Sequence, residues 1–238
     1  MTLLSFLDVT CLEEQVTETE LATLCDLIRQ APTLPAAICV YPQHLQWVKT
    51  RLSDLELAFT TVINFPQGTS TIEAVKTQIQ DALQLGATEL DIVLPYDAFL
   101  DTMDLALVKD FITACCNEIN GKSLFKLILE TGEIEDRIAI YEVSLVACEA
   151  GVDFIKTSTG KVPVGATLEA TGAILQAIND FKKHRQVGLK VSGGIRTPSQ
   201  AQAFYDQIET KLGRGWLTPK LFRIGASQLF KTIAFAKA

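Results

Sequence analysis

The stretch Gly151–Lys161, GVDFIKTSTGK, decides the fold. Val152, Phe154 and Ile155 read as a short buried strand. Lys156 then closes the strand, and a loop of small, hydroxyl-bearing and glycine residues opens behind it. A strand that ends in a charged group and a permissive loop is one half of a βα unit. The other half is the helical pattern that follows. The same unit recurs along the chain. SFLDV, AAICVY, FTTVINF, ELDIVL, LFKLILE, VDFIKT, VGLKVS and LFRIGA are strand candidates. Between them lie apolar stripes at helical spacing, such as Leu21, Leu24, Cys25 and Ile28, or Ile72, Val75, Ile79 and Leu83, or Phe204, Ile208 and Leu212. Near-continuous apolar strands alternating with amphipathic helices predict parallel strands covered by helices. Eight units in 238 residues predict a closed (β/α)8 TIM barrel, an α/β fold in a single domain spanning residues 1–238. A doubly wound open sheet is the alternative, although no GxGxxG follows the first strand.

Composition narrows the function classes. The chain is 48% hydrophobic and 21% charged, as a folded globular protein is, and its net charge of -7 disfavours a nucleic-acid partner. No apolar run approaches the ~18 residues of a membrane span, and MTLLSFLDVTCLEEQ lacks the basic start of a signal peptide, so a cytoplasmic protein with no membrane partner is expected. Six cysteines (Cys11, Cys25, Cys39, Cys115, Cys116, Cys148) form no CxxC pair and read as reduced thiols. The adjacent Cys115 and Cys116 fall in the helical run FITACCNEI and read as packing residues. Only two histidines, His44 and His184, are present. A histidine-based metal site or catalytic triad is not expected, and no metal or other cofactor is implied. Composition leaves the oligomeric state open, a homodimer included.

In a barrel of this type, chemistry gathers at the C-terminal strand ends. Asp8, Thr10, Asn64, Asp91, Glu130, Lys156, Lys190 and Ser192 fall at or near that edge. Lys126, Lys156 and Lys190 sit inside apolar strands. A strand lysine can simply snorkel to water, but three of them with Asp91 on a fourth strand fit another purpose. Burial disfavours the charged form and a neighbouring cation does so further, which makes a lysine nucleophilic toward a carbonyl. STGK, SGGIRT and IGAS add glycines in the loops after the sixth to eighth strands, where backbone N–H groups meet phosphates. A phosphorylated substrate is the expected ligand. STGK lacks the spacing of a Walker loop.

Taken in order, LDVT, VINFPQGTSTIEAV, GATELDIVLPYDAFL, KLILETGEI, GVDFIKTSTGK, VGLKVSGGIRT and FRIGAS resemble the deoxyribose-phosphate aldolase family over almost the whole chain. The resemblance implies a TIM barrel and a cofactor-free Schiff-base aldolase that reversibly cleaves 2-deoxy-D-ribose 5-phosphate to acetaldehyde and D-glyceraldehyde 3-phosphate. It implies that Lys156 forms the Schiff base, that Lys190 is the second active-site lysine, and that Asp91 handles protons with a water. It places Asp8, Thr10 and Cys39 on the substrate side of the pocket, and Gly160, Lys161, Gly193, Gly194 and Ser227 on the phosphate side. Its partners are then a small sugar phosphate and aldehydes. The chain departs from the family at Val191–Ser192, where many members carry a proline, and at Gln228, where a second serine is frequent. It ends FKTIAFAKA, without the terminal tyrosine of some members, so turnover is expected to be slower or to rely on water alone. Two other readings stand beside this one: a Schiff-base aldolase with a different donor or acceptor, and a non-catalytic barrel that binds a sugar phosphate.

Overall fold

A computed structural model describes residues 2–181 and 186–235. His184 and the last three residues, Ala236 to Ala238, lie outside them. Eight strands, β1 (Leu7–Cys11), β2 (Ala37–Val40), β3 (Ala58–Ile63), β4 (Glu89–Val93), β5 (Leu124–Ile128), β6 (Phe154–Lys156), β7 (Gly188–Ser192) and β8 (Phe222–Ala226), close in sequence order into a parallel barrel. β8 pairs back onto β1, with Leu7 opposite Ile224 and Asp8 opposite Gly225. The alternative of an open doubly wound sheet is thereby excluded. Outside the barrel run α1 (Glu18–Gln30), α2 (Pro42–Leu52), α3 (Ile72–Gln84), α4 (Tyr96–Thr102), α5 (Leu105–Ile119), α6 (Thr131–Ile134), α7 (Arg137–Ala150), α8 (Leu168–Asp180), α9 (Pro198–Leu212) and α10 (Leu229–Ala234).

Six of the described helices start where the sequence supplies a capping side chain. Thr17 and Thr197 each form a capping box with Glu20 and Gln200, and Thr71, Asp104, Asp136 and Thr167 accept from the first turn of their helices. The helical stripes face inward as their spacing predicts: Leu21, Cys25 and Ile28, then Val75 and Ile79, then Phe204 and Ile208 are buried. One difference concerns the first strand. SFLDV was expected to be extended from Ser5, but Leu3–Phe6 form a 3-10 turn, held by the Ser5 hydroxyl on the Thr2 carbonyl, and β1 begins at Leu7. The shift buries Phe6 against Phe222 and carries Thr10 to the barrel mouth.

Strand alternation divides the core in two. Leu7, Val9, Ile92, Leu127, Ile155, Leu189 and Ile224 belong to the apolar layer between strands and helices. The intervening positions face the barrel axis. Seven of them, Asp8, Glu89, Asp91, Lys126, Lys156, Lys190 and Arg223, are charged and buried. Below them, Phe154 packs against Gly188, its register partner on β7, with the Arg223 guanidinium 5.7 Å from its ring centroid.

Gly188 has no room for a side chain: a Cβ there would stand 2.4 to 2.8 Å from three atoms of the Phe154 ring. Overpacking of this kind costs about 1–3 kcal/mol. Gly188→Ala is expected to lower the urea midpoint accordingly, whereas Gly215→Ala, which meets nothing within 4 Å, leaves the midpoint nearly unchanged.

Candidate active site

Lys156 ends β6, and it opens on a cleft of about 250 Å³ at the C-terminal mouth of the barrel. Its side chain is 4% exposed. Thr10, Leu12, Thr159, Gly160 and Lys161 line one part of the cleft, and Ser192, Gly193, Gly194, Arg196, Ser227 and Gln228 another. The loops after β6 and β7 come closest at two glycines. A Cβ on Gly165 would fall 2.4 Å from the Gly193 carbonyl carbon, and one on Gly193 would fall 2.9 Å from the Gly165 Cα. Gly193 also has φ +86°, which glycine adopts without strain. Ala166 N–H donates to the carbonyls of Ser192 and Gly193, tying the two loops together. Lys161 reaches across the cleft, its ammonium donating to the Leu12 carbonyl at 2.5 Å.

Beneath Lys156 lies the charged interior. Asp91 is its hub: Oδ2 accepts from Lys156 Nζ at 2.8 Å and Lys190 Nζ at 2.7 Å, and Oδ1 from Lys126 Nζ at 3.0 Å. Lys190 also lies 2.6 Å from Asp8 Oδ2, and Lys126 lies 2.5 Å from Glu89 Oε2 and 3.7 Å from Asp8 Oδ2. Arg223 joins the other ends, with Asp8 Oδ1 at 2.7 Å and Glu89 Oε1 at 2.9 Å.

The three lysines are therefore in unequal positions. Burial alone would push each toward the neutral amine. For Lys126, Asp91 and Glu89 outweigh burial and the pKa rises, and for Lys190, Asp8 and Asp91 do the same. Lys156 has Asp91 alone, through an oxygen it shares with Lys190, so burial prevails, the Lys190 charge adds to it, and the pKa falls. Burial also pushes toward protonated carboxyls, but the lysines around Asp91, and Lys190 and Arg223 beside Asp8, hold both well below the usual range. The arrangement presents to a small cleft the one barrel lysine whose pKa is lowered, and raises that of the other two.

The expected site residues fall into two sets. Thr10, Lys156, Gly160, Lys161, Gly193, Gly194 and Ser227 line the cleft. Asp8, Cys39, Asp91 and Lys190 are fully buried and do not. Asp8 pairs with Lys190 at 2.6 Å, and Lys190 in turn shares Asp91 Oδ2 with Lys156. Cys39 packs with Leu12 and Val62, and burial raises its thiol to about 11. Lys126 is part of the charged interior. Glu89 and Arg223 were not singled out from the sequence. Glu89 stands two residues before Asp91 in TELDIVL, hence on the same face of the strand, and Arg223 breaks the apolar run of LFRIGA; both signals were present. Among the described residues, no group of three or more histidines, cysteines and acids is placed to hold a metal ion, and no helix is long and apolar enough to cross a membrane.

Residues 2–227 match the sequence family described as DeoC/LacD family aldolase. A deoxyribose-phosphate aldolase of Agrobacterium fabrum (strain C58 / ATCC 33970) is 40% identical over 225 residues, 94% of this chain and 86% of that one. The fold is similar to a structure from Toxoplasma gondii ME49, with a TM-score of 0.89 at 21% identity over 97% of this chain and 91% of that one. It is also similar to a tetrameric deoxyribose phosphate aldolase from Aeropyrum pernix, with a TM-score of 0.77 at 22% identity over 97% and 90%.

The depressed carboxylates give the interior a defined pH response. Their folded pKa values lie below the unfolded value near ~3.9, so their contribution to stability is full above that value and is lost as pH falls through the folded ones. Asp91→Asn, which strands buried ammonium groups, is expected to cost about 3–5 kcal/mol at neutral pH. In urea titrations at successive pH values, the gap to the unmodified protein narrows below about pH 4.

Proposed function

The chain belongs to the DeoC/LacD family of aldolases, and we propose that it works through a Schiff base on Lys156, reversibly cleaving 2-deoxy-D-ribose 5-phosphate to acetaldehyde and D-glyceraldehyde 3-phosphate. One observation carries this reading: of the three barrel lysines, Lys156 alone both opens on the cleft and has its pKa lowered. The neutral amine adds to C1 of the open-chain sugar, and the carbinolamine loses water to give a protonated imine. A proton leaves the C3 hydroxyl, the C2–C3 bond breaks, and its electron pair flows to the imine nitrogen as an enamine forms. Glyceraldehyde 3-phosphate leaves. Protonation at C2 and addition of water then release acetaldehyde and restore the amine. Asp91 and Lys190 hand protons on through water, and the imine serves as the electron sink, so the scheme needs no cofactor.

The glycine loops support a phosphate at the other end of the cleft. Gly160, Gly193 and Gly194 line the cleft with no side chain to keep an anion from the backbone, and Lys161, Arg196 and Ser227 line it with polar groups. Gln228 stands beside Ser227 at that rim, a longer donor than a serine. All six cysteines stand as thiols, consistent with a cytoplasmic setting.

Acetaldehyde with borohydride is expected to add one ethyl group, mapped by peptide mass spectrometry to Lys156. Lys156→Ala abolishes both labelling and turnover while urea unfolding remains cooperative. Label spread over surface lysines overturns the assignment. Inorganic phosphate is expected to compete with the phosphorylated sugar, and unphosphorylated 2-deoxyribose to be turned over far less efficiently, since the binding energy of the remote phosphate is lost. Equal kcat/KM for the two sugars overturns the anion site.

A further inference from the structure

The charges facing the barrel axis do not sum to zero in their ordinary forms. Among the described residues, Lys126, Lys156, Lys190 and Arg223 supply four positive groups, and Asp8, Glu89 and Asp91 three carboxylates. All are linked by contacts of 3.7 Å or less. A buried excess charge is costly, and this set is electroneutral only if one cation gives up its proton. Arg223 cannot do so, since its guanidinium stays charged in any protein setting. Lys126 and Lys190 are each held by at least two carboxylates. Only Lys156, with its single shared oxygen, is left.

We propose that Arg223 and Glu89 are positioning residues of the reaction, acting from beneath Lys126 and Lys190 to fix the charge count of the barrel interior so that Lys156 is its neutral amine. The inference rests on the Schiff-base reading above. The strands around Lys156 bring it the following groups. β4 brings Asp91 and Glu89, β5 Lys126, β7 Lys190, β8 Arg223 and β1 Asp8; the inward groups of β3, Thr60 and Val62, do not titrate. Cys39 on β2 is a thiol raised to about 11 and stays uncharged at neutral pH. Glu130, just past β5, is buried outside this contact network: its carboxylate accepts from the Thr159 N–H and hydroxyl, burial pushes its carboxyl up, and Lys156 acts on it through space, more weakly than burial does. Thr60 fixes Glu89 by donating to Oε2 at 2.9 Å, and the Arg223 Nε donates to the Pro219 carbonyl. Arg223 and Glu89 thus touch no substrate and act through the lysines they brace.

Charge counting gives the two partners of one ion pair opposite effects. Without Arg223, the interior holds three carboxylates against Lys126 and Lys190, so protonating Lys156 restores neutrality. Without Glu89, the interior already carries an excess positive charge, with Lys126 still held by Asp91 and Asp8, and protonating Lys156 adds to it. The readout is the pH dependence of the rate at which acetaldehyde is trapped on Lys156 by borohydride, whose acid limb follows the neutral fraction of that amine.

Arg223→Met is expected to move the limb alkaline by about one pH unit, a tenfold loss of rate at a fixed pH on the limb. Glu89→Gln moves it in the acid direction. The double variant, with two cations and two carboxylates around a neutral Lys156, returns the limb to its original position, and Arg223→Lys keeps it there. Mere damage to packing would shift both single variants the same way and would add in the double variant. Limbs that move together, do not move, or fail to cancel overturn the proposal; if Arg223→Met does not fold, Glu89→Gln and the double variant decide it. Absence of trapping in the unmodified protein overturns the Schiff-base reading and this one together, whereas normal trapping with unmoved limbs overturns this one alone.

Discussion

Asp91 holds three lysines from three consecutive strands with two oxygen atoms. Everything distinctive about the site depends on that economy. Two of the lysines have further carboxylates, which raise their pKa; the third shares an oxygen, and burial lowers its pKa. The difference between chemically identical side chains arises from how many anions each can reach, not from any feature of the lysines themselves. It also explains why the site lies inside a barrel. A closed ring of parallel strands is among the few frameworks that aim side chains from eight backbones at one axis while excluding water from below.

The apolar layer outside the strands makes this arrangement affordable in energetic terms. Ile92, Leu127, Ile155 and Leu189 alternate with Asp91, Lys126, Lys156 and Lys190 along the same strands, so each backbone serves a dry outer core and a charged inner one. The mouth is built differently. There the loops after β6 and β7 touch through Gly165 and Gly193 with no side chain between them, which brings backbone N–H groups near enough to meet an anion. In the proposed reaction, substrate chemistry is divided by depth, with the anion at the rim and the carbonyl at the end of β6.

Much of this was legible in the sequence, and the limit can be located. The βα alternation gave the barrel because the periods of two and 3.6 are local. Lys156 stood out because a charged residue ended an apolar run. The roles of Asp8, Glu89 and Arg223 were not legible in the same way. Alternation tells which face a residue takes but not which residue it meets across the axis, and Asp8 meets Arg223 from 215 positions away. Asp8, expected on the substrate side, is fully buried and paired with Lys190 and Arg223. The displaced start of β1 has a similar origin. SFLDV has the apolar content of a strand throughout, and only the docking of Phe6 against Phe222, contributed by the last strand, turns its first half into a 3-10 coil.

The ion pair between Asp8 on the first strand and Arg223 on the last bears on how such a chain reaches its native state. Until β8 docks on β1, Asp8 and Glu89 lack their guanidinium, and the interior of a nearly finished barrel holds carboxylates without that partner. A partly assembled sheet of six or seven strands therefore gains apolar contacts on its outer face, while its inner charges stay open to water. The step that closes the ring removes that water and supplies the guanidinium together. Buried charge, which adds little to the stability of the finished protein, thus ties drying of the inner face to docking of the last strand, and steepens the passage from open chain to closed fold.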